Sequence, residues 1–331
     1  MSAAALGPGA EFDLIRRLTD GLVAPAGVTV GTGDDGACLE GGWVISTDLT
    51  LEDVHFRRSW CGPEEWGGRA VRAALSDLAA MAARPVAILL SLAGSADDRA
   101  SGVLQAVGQG ARAAAESLGA AVIGGDVTRS PARVAIDVVV LGRTDDPLLR
   151  RGARPGDDLW VTGHLGGAGA AVRMLLDGRR PPPPLEARFA RPQPRLAEAL
   201  WLADTGHLTA GLDLSDGLAG DATHLAAASE VGLEIDESAL PVDPHAVEAF
   251  GASTALRLAL SGGEDYELLL AADPALAAHR EGFGDRFPGV PLTRIGRVVA
   301  GSGVSLRAPD GERRPAPSAF DHFPDSGSPP S

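Results

Sequence analysis

The chain contains no lysine. Its 29 basic residues are all arginine, against 44 acidic ones, for a formal charge of −15 over 331 residues. This excludes a classical P-loop, whose lysine reaches the nucleotide phosphates. Any phosphate site here must rest on metal, arginine and backbone N–H groups. The acid excess also argues against sequence-independent nucleic-acid binding, which needs a basic patch. Cysteine is scarce: Cys38 and Cys61 lack the paired spacing of a zinc site or a disulfide framework, so a reducing cytoplasm is the simpler reading. Long apolar runs are missing too. The most apolar stretch, 75–93, carries Asp77, Arg84 and Pro85 and does not qualify as a membrane span. The N-terminus has no basic segment before an apolar run and meets Glu11 and Asp13 early. A cytoplasmic protein without nucleic-acid or membrane partners is expected.

With 45% apolar and 22% charged residues, the composition is that of an ordinary globular protein, and its length exceeds the usual size of one hydrophobic core. Two domains follow as the default. Strand and helix patterns alternate in both halves: strands over 43–47, 86–92, 121–123 and 134–141, and helices over 63–83 and 97–118. In the second half, strands are read over 158–162, 208–214, 232–235, 267–271 and 292–299. Helices are read over 166–176, 194–203, 216–228, 244–250 and 254–260. The Gly124-Gly125-Asp126 triplet reads as a turn after its strand, and 181–184 as a stiff polyproline connector. A turn-rich stretch at 148–157 divides the chain into 1–147, 148–309 and a polar, Pro-rich tail, 310–331. The fold class is α/β (α+β) with two domains.

The acids recur in short clusters among Gly, Ser and Thr: Asp34-Asp35, Ser46-Thr47-Asp48, Ser76-Asp77, Gly124-Gly125-Asp126, Asp213-Leu214-Ser215-Asp216 and Glu264-Asp265. Carboxylates beside small residues suit Mg²⁺, a hard ion that prefers oxygen ligands. Each cluster also has a plainer reading. Asp34-Asp35 between glycines could be a turn; Ser46-Thr47-Asp48, or Ser215 and Asp216, could cap the next element. Asp77 is harder to dismiss, because it sits in an apolar helical context where an unpaired carboxylate is costly.

Nine motifs in order then carry a resemblance. Segments 31–37, 46–56, 75–81, 124–129, 150–157, 191–196, 213–218, 261–268 and 321–323 are similar to those of the thiamine-monophosphate kinase family, in the aminoimidazole-ribonucleotide synthetase superfamily. At Ala74, Ala82, Val127 and Asp53 the chain departs from the family's common residues; Gly is frequent where Ala82 stands, and Gly or Asn where Asp53 stands.

The resemblance implies an ATP-dependent enzyme converting thiamine monophosphate to thiamine diphosphate, with an N-terminal sheet that pairs in a homodimer and a C-terminal α+β domain. It implies Mg²⁺ ligands at Asp34, Asp35, Ser46, Thr47, Asp48, Asp77, Asp126, Asp213 and Asp216. ATP contacts are implied at Gly125, Asp126, Arg150 and Ser215, and thiamine-phosphate contacts at His55, Glu264 and Phe320. The chemistry is consistent with this reading. Metal cancels repulsion between two phosphate-bearing substrates, and an acceptor phosphate with a second pKa near ~6 needs no general base at pH 7. Relatives with other chemistry would show a catalytic Cys–Lys pair near the N-terminus or a C-terminal Cys; this chain has neither.

Overall fold

The computed structural model describes Gly7 and residues 9–317; Phe320 lies outside the described residues. The first half runs from the helix Ala10–Thr19 (α1) through strands Val28–Val30 (β1), Ala37–Leu39 (β2) and Trp43–Leu51 (β3) to the long helix Pro63–Ala80 (α2). Then follow Arg84–Gly94 (β4), Ala96–Ala100 (α3), Val103–Ser117 (α4), Ala121–Arg129 (β5) and Ala135–Arg143 (β6). The strands form one sheet, ordered β1-β2-β3-β6-β4-β5. It is antiparallel except where β5 joins β4 in parallel, and that pairing needs the helical crossover that α3 and α4 supply.

Alternation along β6 sets the layers. Ile136, Val138 and Val140 are fully buried against α2, whereas Asp137, Val139 and Leu141 face the other way. This places Asp137, an interruption in an apolar run, on the uncovered face. Helix α2 starts where Pro63 needs no N–H partner and where the Glu65 carboxylate accepts the Gly62 N–H at 3.1 Å. It crosses α4 closely. A Cβ at Gly110 would lie 1.8 Å from the Glu64 carbonyl oxygen, so only glycine permits that approach.

The second half contains Asp158–Thr162 (β7), Gly167–Leu176 (α5), Pro183–Ala190 (α6), Leu196–Ala203 (α7), Leu208–Asp213 (β8), Leu218–Ser229 (α8) and Gly232–Asp236 (β9). Pro244–Phe250 (α9), Ala252–Ser261 (α10), Leu268–Ala272 (β10), Arg280–Arg286 (α11), Leu292–Val299 (β11), Gly303–Arg307 (β12) and Arg313–Pro315 (β13) complete it. Its sheet is ordered β13-β12-β9-β11-β7-β10-β8, with β7 and β10 buried throughout. Successive residues of β7 serve two cores: Leu159 and Val161 join the core around α8, while Trp160 joins the one containing Ala70, Leu75 and Leu78 of α2. The larger core is therefore common to both halves.

Several boundaries differ from the sequence reading. Gly124-Gly125-Asp126 is not a turn but part of β5, with Ile123 bulged between the pairs Ile88–Val122 and Leu89–Gly124. Gly125 provides clearance within the strand: its φ is +150°, and a Cβ there would lie 1.8 Å from the Leu90 carbonyl oxygen. The helix expected over 97–118 breaks at Ser101, and Gly102, at φ +81°, opens α4. The proline connector is shortened because Pro183 begins α6. Arg313–Pro315 pairs with β12, so the sheet extends into the segment read as a tail. Among the described residues no helix is long and apolar enough to cross a membrane.

Candidate active site

Four segments converge between the two sheets. The turn between β1 and β2 brings Asp34 and Asp35, β3 brings Ser46 and Asp48, the C-terminal half of α2 brings Asp77, and the end of β8 brings Asp213. One carboxylate oxygen from each of Asp35, Asp77 and Asp213 lies within 4.8 Å of the others. The Ser46 hydroxyl ties the group together. It donates to Asp77 Oδ2 at 2.6 Å and also reaches the Asp35 carbonyl oxygen at 2.8 Å. Arg150, in the segment joining the halves, donates Nη2 to Asp35 Oδ1 at 2.5 Å and its main-chain N–H to Asp34 Oδ1 at 3.1 Å.

These acids repel one another in surroundings that solvate them poorly. Burial, reinforced by the Asp35 charge, pushes Asp34 up to about 6 and Asp213 up to about 7. Burial, then the charges of Asp213 and Asp35, hold Asp77 well above the ordinary carboxylate range. Asp34 Oδ2 and Asp35 Oδ2 are buried without hydrogen-bond partners. Crowded carboxylates with unsatisfied oxygens fit a hard divalent cation, which supplies the missing charge and accepts oxygen ligands. Arg150 offsets only part of the excess.

The neighbouring loops are built as a pair. After β8, Leu214 N donates to the Glu267 carbonyl at 2.8 Å, while Tyr266 N and Glu264 N donate back to Leu214 O at 2.8 Å and Ser215 O at 2.7 Å. The antiparallel ladder of β8 and β10 thereby continues beyond the strands and places Ser215 and Asp216 beside Glu264. Glu264 and Tyr266 both hold left-handed backbone, φ +66° and +50°, a strained geometry for residues with side chains and one that clusters at functional sites. His55 sits in the loop after β3, where its Nδ1 accepts the Leu51 N–H at 2.9 Å.

The other expected residues are more dispersed. Successive strand residues face opposite ways, so Thr47 projects from the face opposite Ser46 and donates its hydroxyl to Asp137 at 2.9 Å. Gly125 and Asp126 lie on the exposed edge strand β5, three positions across the sheet from β3, or roughly 14 Å at the usual strand spacing. Asp126 is in register with Ser91, which in turn pairs with Asp137.

Three further features were missed by sequence reasoning. Buried Asp221, in the first turn of α8, accepts the Asp216 N–H at 3.1 Å; an acid within an otherwise apolar helix start was the available signal, the same one that marked Asp77. The loop carrying His55 is pinned by Arg58, which donates Nε to Glu52 at 2.6 Å and Nη1 to Asp98 at 2.5 Å. Arg69 of α2 donates to the Glu264 carboxylate across the two halves, and no local pattern announced that pairing.

The pattern of the AIR synthase related protein family matches this chain over residues 33–144 for its N-terminal domain and 154–309 for its C-terminal domain. The two-domain, two-sheet fold is thus that of the AIR synthase related class. The thiamine-monophosphate kinase of Rhodopirellula baltica is 34% identical over 89% of this chain and 92% of its own length. That of Escherichia coli K12 is 34% identical over 88% and 90%. A solved structure described as AaThiL complexed with AMPPCP and TMP has a TM-score of 0.79 and 32% identity, covering 95% of this chain and 97% of that one. Within the AIR synthase related class, the chain belongs to the thiamine-monophosphate kinases.

Proposed function

We propose that this protein transfers the γ-phosphoryl group of ATP directly to the phosphate of thiamine monophosphate, yielding thiamine diphosphate and ADP. The observation that carries the reading is the trio of buried Asp35, half-buried Asp77 and buried Asp213 beside Arg150, in a chain similar over most of its length to kinases of that name. In this reading Asp34, Ser46, Asp48 and Asp216 complete the cation-holding set beside the trio, while Thr47 and Asp126, which lie apart from it, are kept only as ligands of a further cation. Gly125, Asp126, Arg150 and Ser215 serve the nucleotide. His55, Glu264 and Phe320 serve the thiamine phosphate.

Bound Mg²⁺ would neutralise charge on the phosphates being brought together. The chain's own residues orient the reactants. Arg150 offers a planar fork of donors suited to a phosphate. In the transfer, an acceptor phosphate oxygen forms the new P–O bond as the bond from the γ-phosphorus to the bridging oxygen breaks and ADP departs. The acceptor is already ionised, so no side chain need remove a proton.

Two organisational readings accompany this function. Residues 1–147 and 148–309 are proposed as the working units, a division supported by the two family matches. A homodimer through the first sheet is supported by the exposed strand β5 and by Leu49, which is 55% exposed on the face away from α2.

The deciding assay supplies the protein with Mg²⁺, ATP and thiamine monophosphate and separates the products. Equimolar thiamine diphosphate and ADP are expected. ADP formation with free thiamine but not with its monophosphate would point to a different kinase.

A further inference from the structure

Arg69 is a buried cation that couples α2 to the other half of the molecule, and it is only 2% exposed. Its Nη1 donates to the Phe189 carbonyl oxygen at 2.6 Å, its Nη2 donates to Glu264 Oε2, and its guanidinium carbon sits 4.3 Å from the centre of the Phe189 ring. Stability alone is a poor reason for this arrangement, since a buried ion pair is often replaceable by apolar residues without loss. Positioning is a better one. The backbone of Glu264 is fixed by its bond to Ser215 O, and its side chain is fixed by Arg69, which takes Oε2 and leaves Oε1 to a ligand. Arg69 also stands on the helix that carries Asp77, eight residues and about 12 Å along the axis. One rigid helix therefore sets the separation between the Glu264 carboxylate and the carboxylate trio.

We propose that Arg69 is a positioning residue for the thiamine-phosphate side of the site. It holds the Glu264 carboxylate in one orientation and at a set distance from Asp77. This inference rests on the reading of Glu264 as a substrate contact, and it assigns the ion pair to acceptor binding rather than to ATP binding.

The test is steady-state kinetics on R69M, R69K, E264Q and the combination R69M with E264Q, with each substrate varied while the other saturates. R69M is expected to raise KM for thiamine monophosphate about tenfold while leaving KM for ATP within about twofold, the signature of lost binding at one substrate only. R69K restores the charge without the planar fork and should recover most of the loss. In the E264Q background the R69M effect on KM should shrink markedly, because the charged carboxylate that Arg69 orients is gone. An equal rise in both KM values, or an R69M effect undiminished in E264Q, overturns the proposal. If R69M does not fold, as judged by its thermal transition, R69K alone and combined with E264Q make the same comparison with a KM change of about threefold. Wild-type protein that makes no thiamine diphosphate overturns the functional reading and this inference together. A working wild type with R69M kinetics unchanged overturns the role of Arg69 alone.

Discussion

At the scale of single residues, the site is governed by how Asp35, Asp77 and Asp213 tolerate one another. Their oxygens approach within 4.8 Å while burial and mutual repulsion raise Asp77 and Asp213. Asp77→Asn removes one charge and can retain the Ser46 bond, so metal-free D77N should melt no lower than wild type, and its turnover should fall by about 100-fold or more as a charge stabiliser of the transferred group is lost. Differential scanning fluorimetry provides the companion measurement. Mg²⁺ should raise the melting temperature of wild type through linkage and raise that of D77N much less; equal shifts would remove Asp77 from cation binding. Two other positions explain family preferences seen earlier. Ala82 and Asp53 both adopt left-handed backbone, φ +49° and +67°, where glycine or asparagine costs less. Asp53 spends its charge on Arg133, at 2.7 Å.

At the scale of elements, Asp265 joins the Gly262–Tyr266 loop to helix α5. Its carboxylate accepts the Gly166 N–H at 2.8 Å at that helix's start, and burial pushes it up to about 8. A raised carboxyl binds its proton more tightly when folded. Its contribution is therefore fully present below the ordinary carboxylate range and is lost as pH climbs from about 4 toward about 8. D265N has no such dependence. Urea denaturation at pH 5 and pH 8 should show wild type losing on the order of 1–3 kcal/mol relative to D265N; parallel losses would show that Asp265 does not titrate in this range. Element types were largely legible in the sequence because most strands and helices carry clear periodicity, as in β6 and α2. Gly124-Gly125-Asp126 was misread because glycine signals a turn locally, whereas here it gives β5 room against Leu90. Strands β1, β2, β12 and β13 are too short to show a clear alternation. The trio of acids could be proposed one by one. Their approach and the Arg69–Glu264 pair depend on contacts between distant segments, whereas Asp221 carried a local signal in its apolar helix start.

At the scale of the molecule, the first sheet ends in an edge that invites a partner. Val127 is 68% and Ile123 63% exposed on β5, although both would gain from burial. Wild type should sediment at twice its chain mass, and Val127→Asp should shift it toward monomer, with a melting temperature that depends less on protein concentration than that of wild type. A monomeric wild type, or an unaffected dimer in V127D, would move the interface elsewhere. The two halves of one chain are a different matter. Trp160 and Leu268 of the second sheet lie in the same core as Leu75 and Leu78 of α2, so the halves share an interior rather than meeting across a surface. No free hinge consequently separates the halves, and on the proposed reading the loops of His55 and Glu264 would adapt to the reactants within a frame set when the chain folds rather than when a ligand arrives.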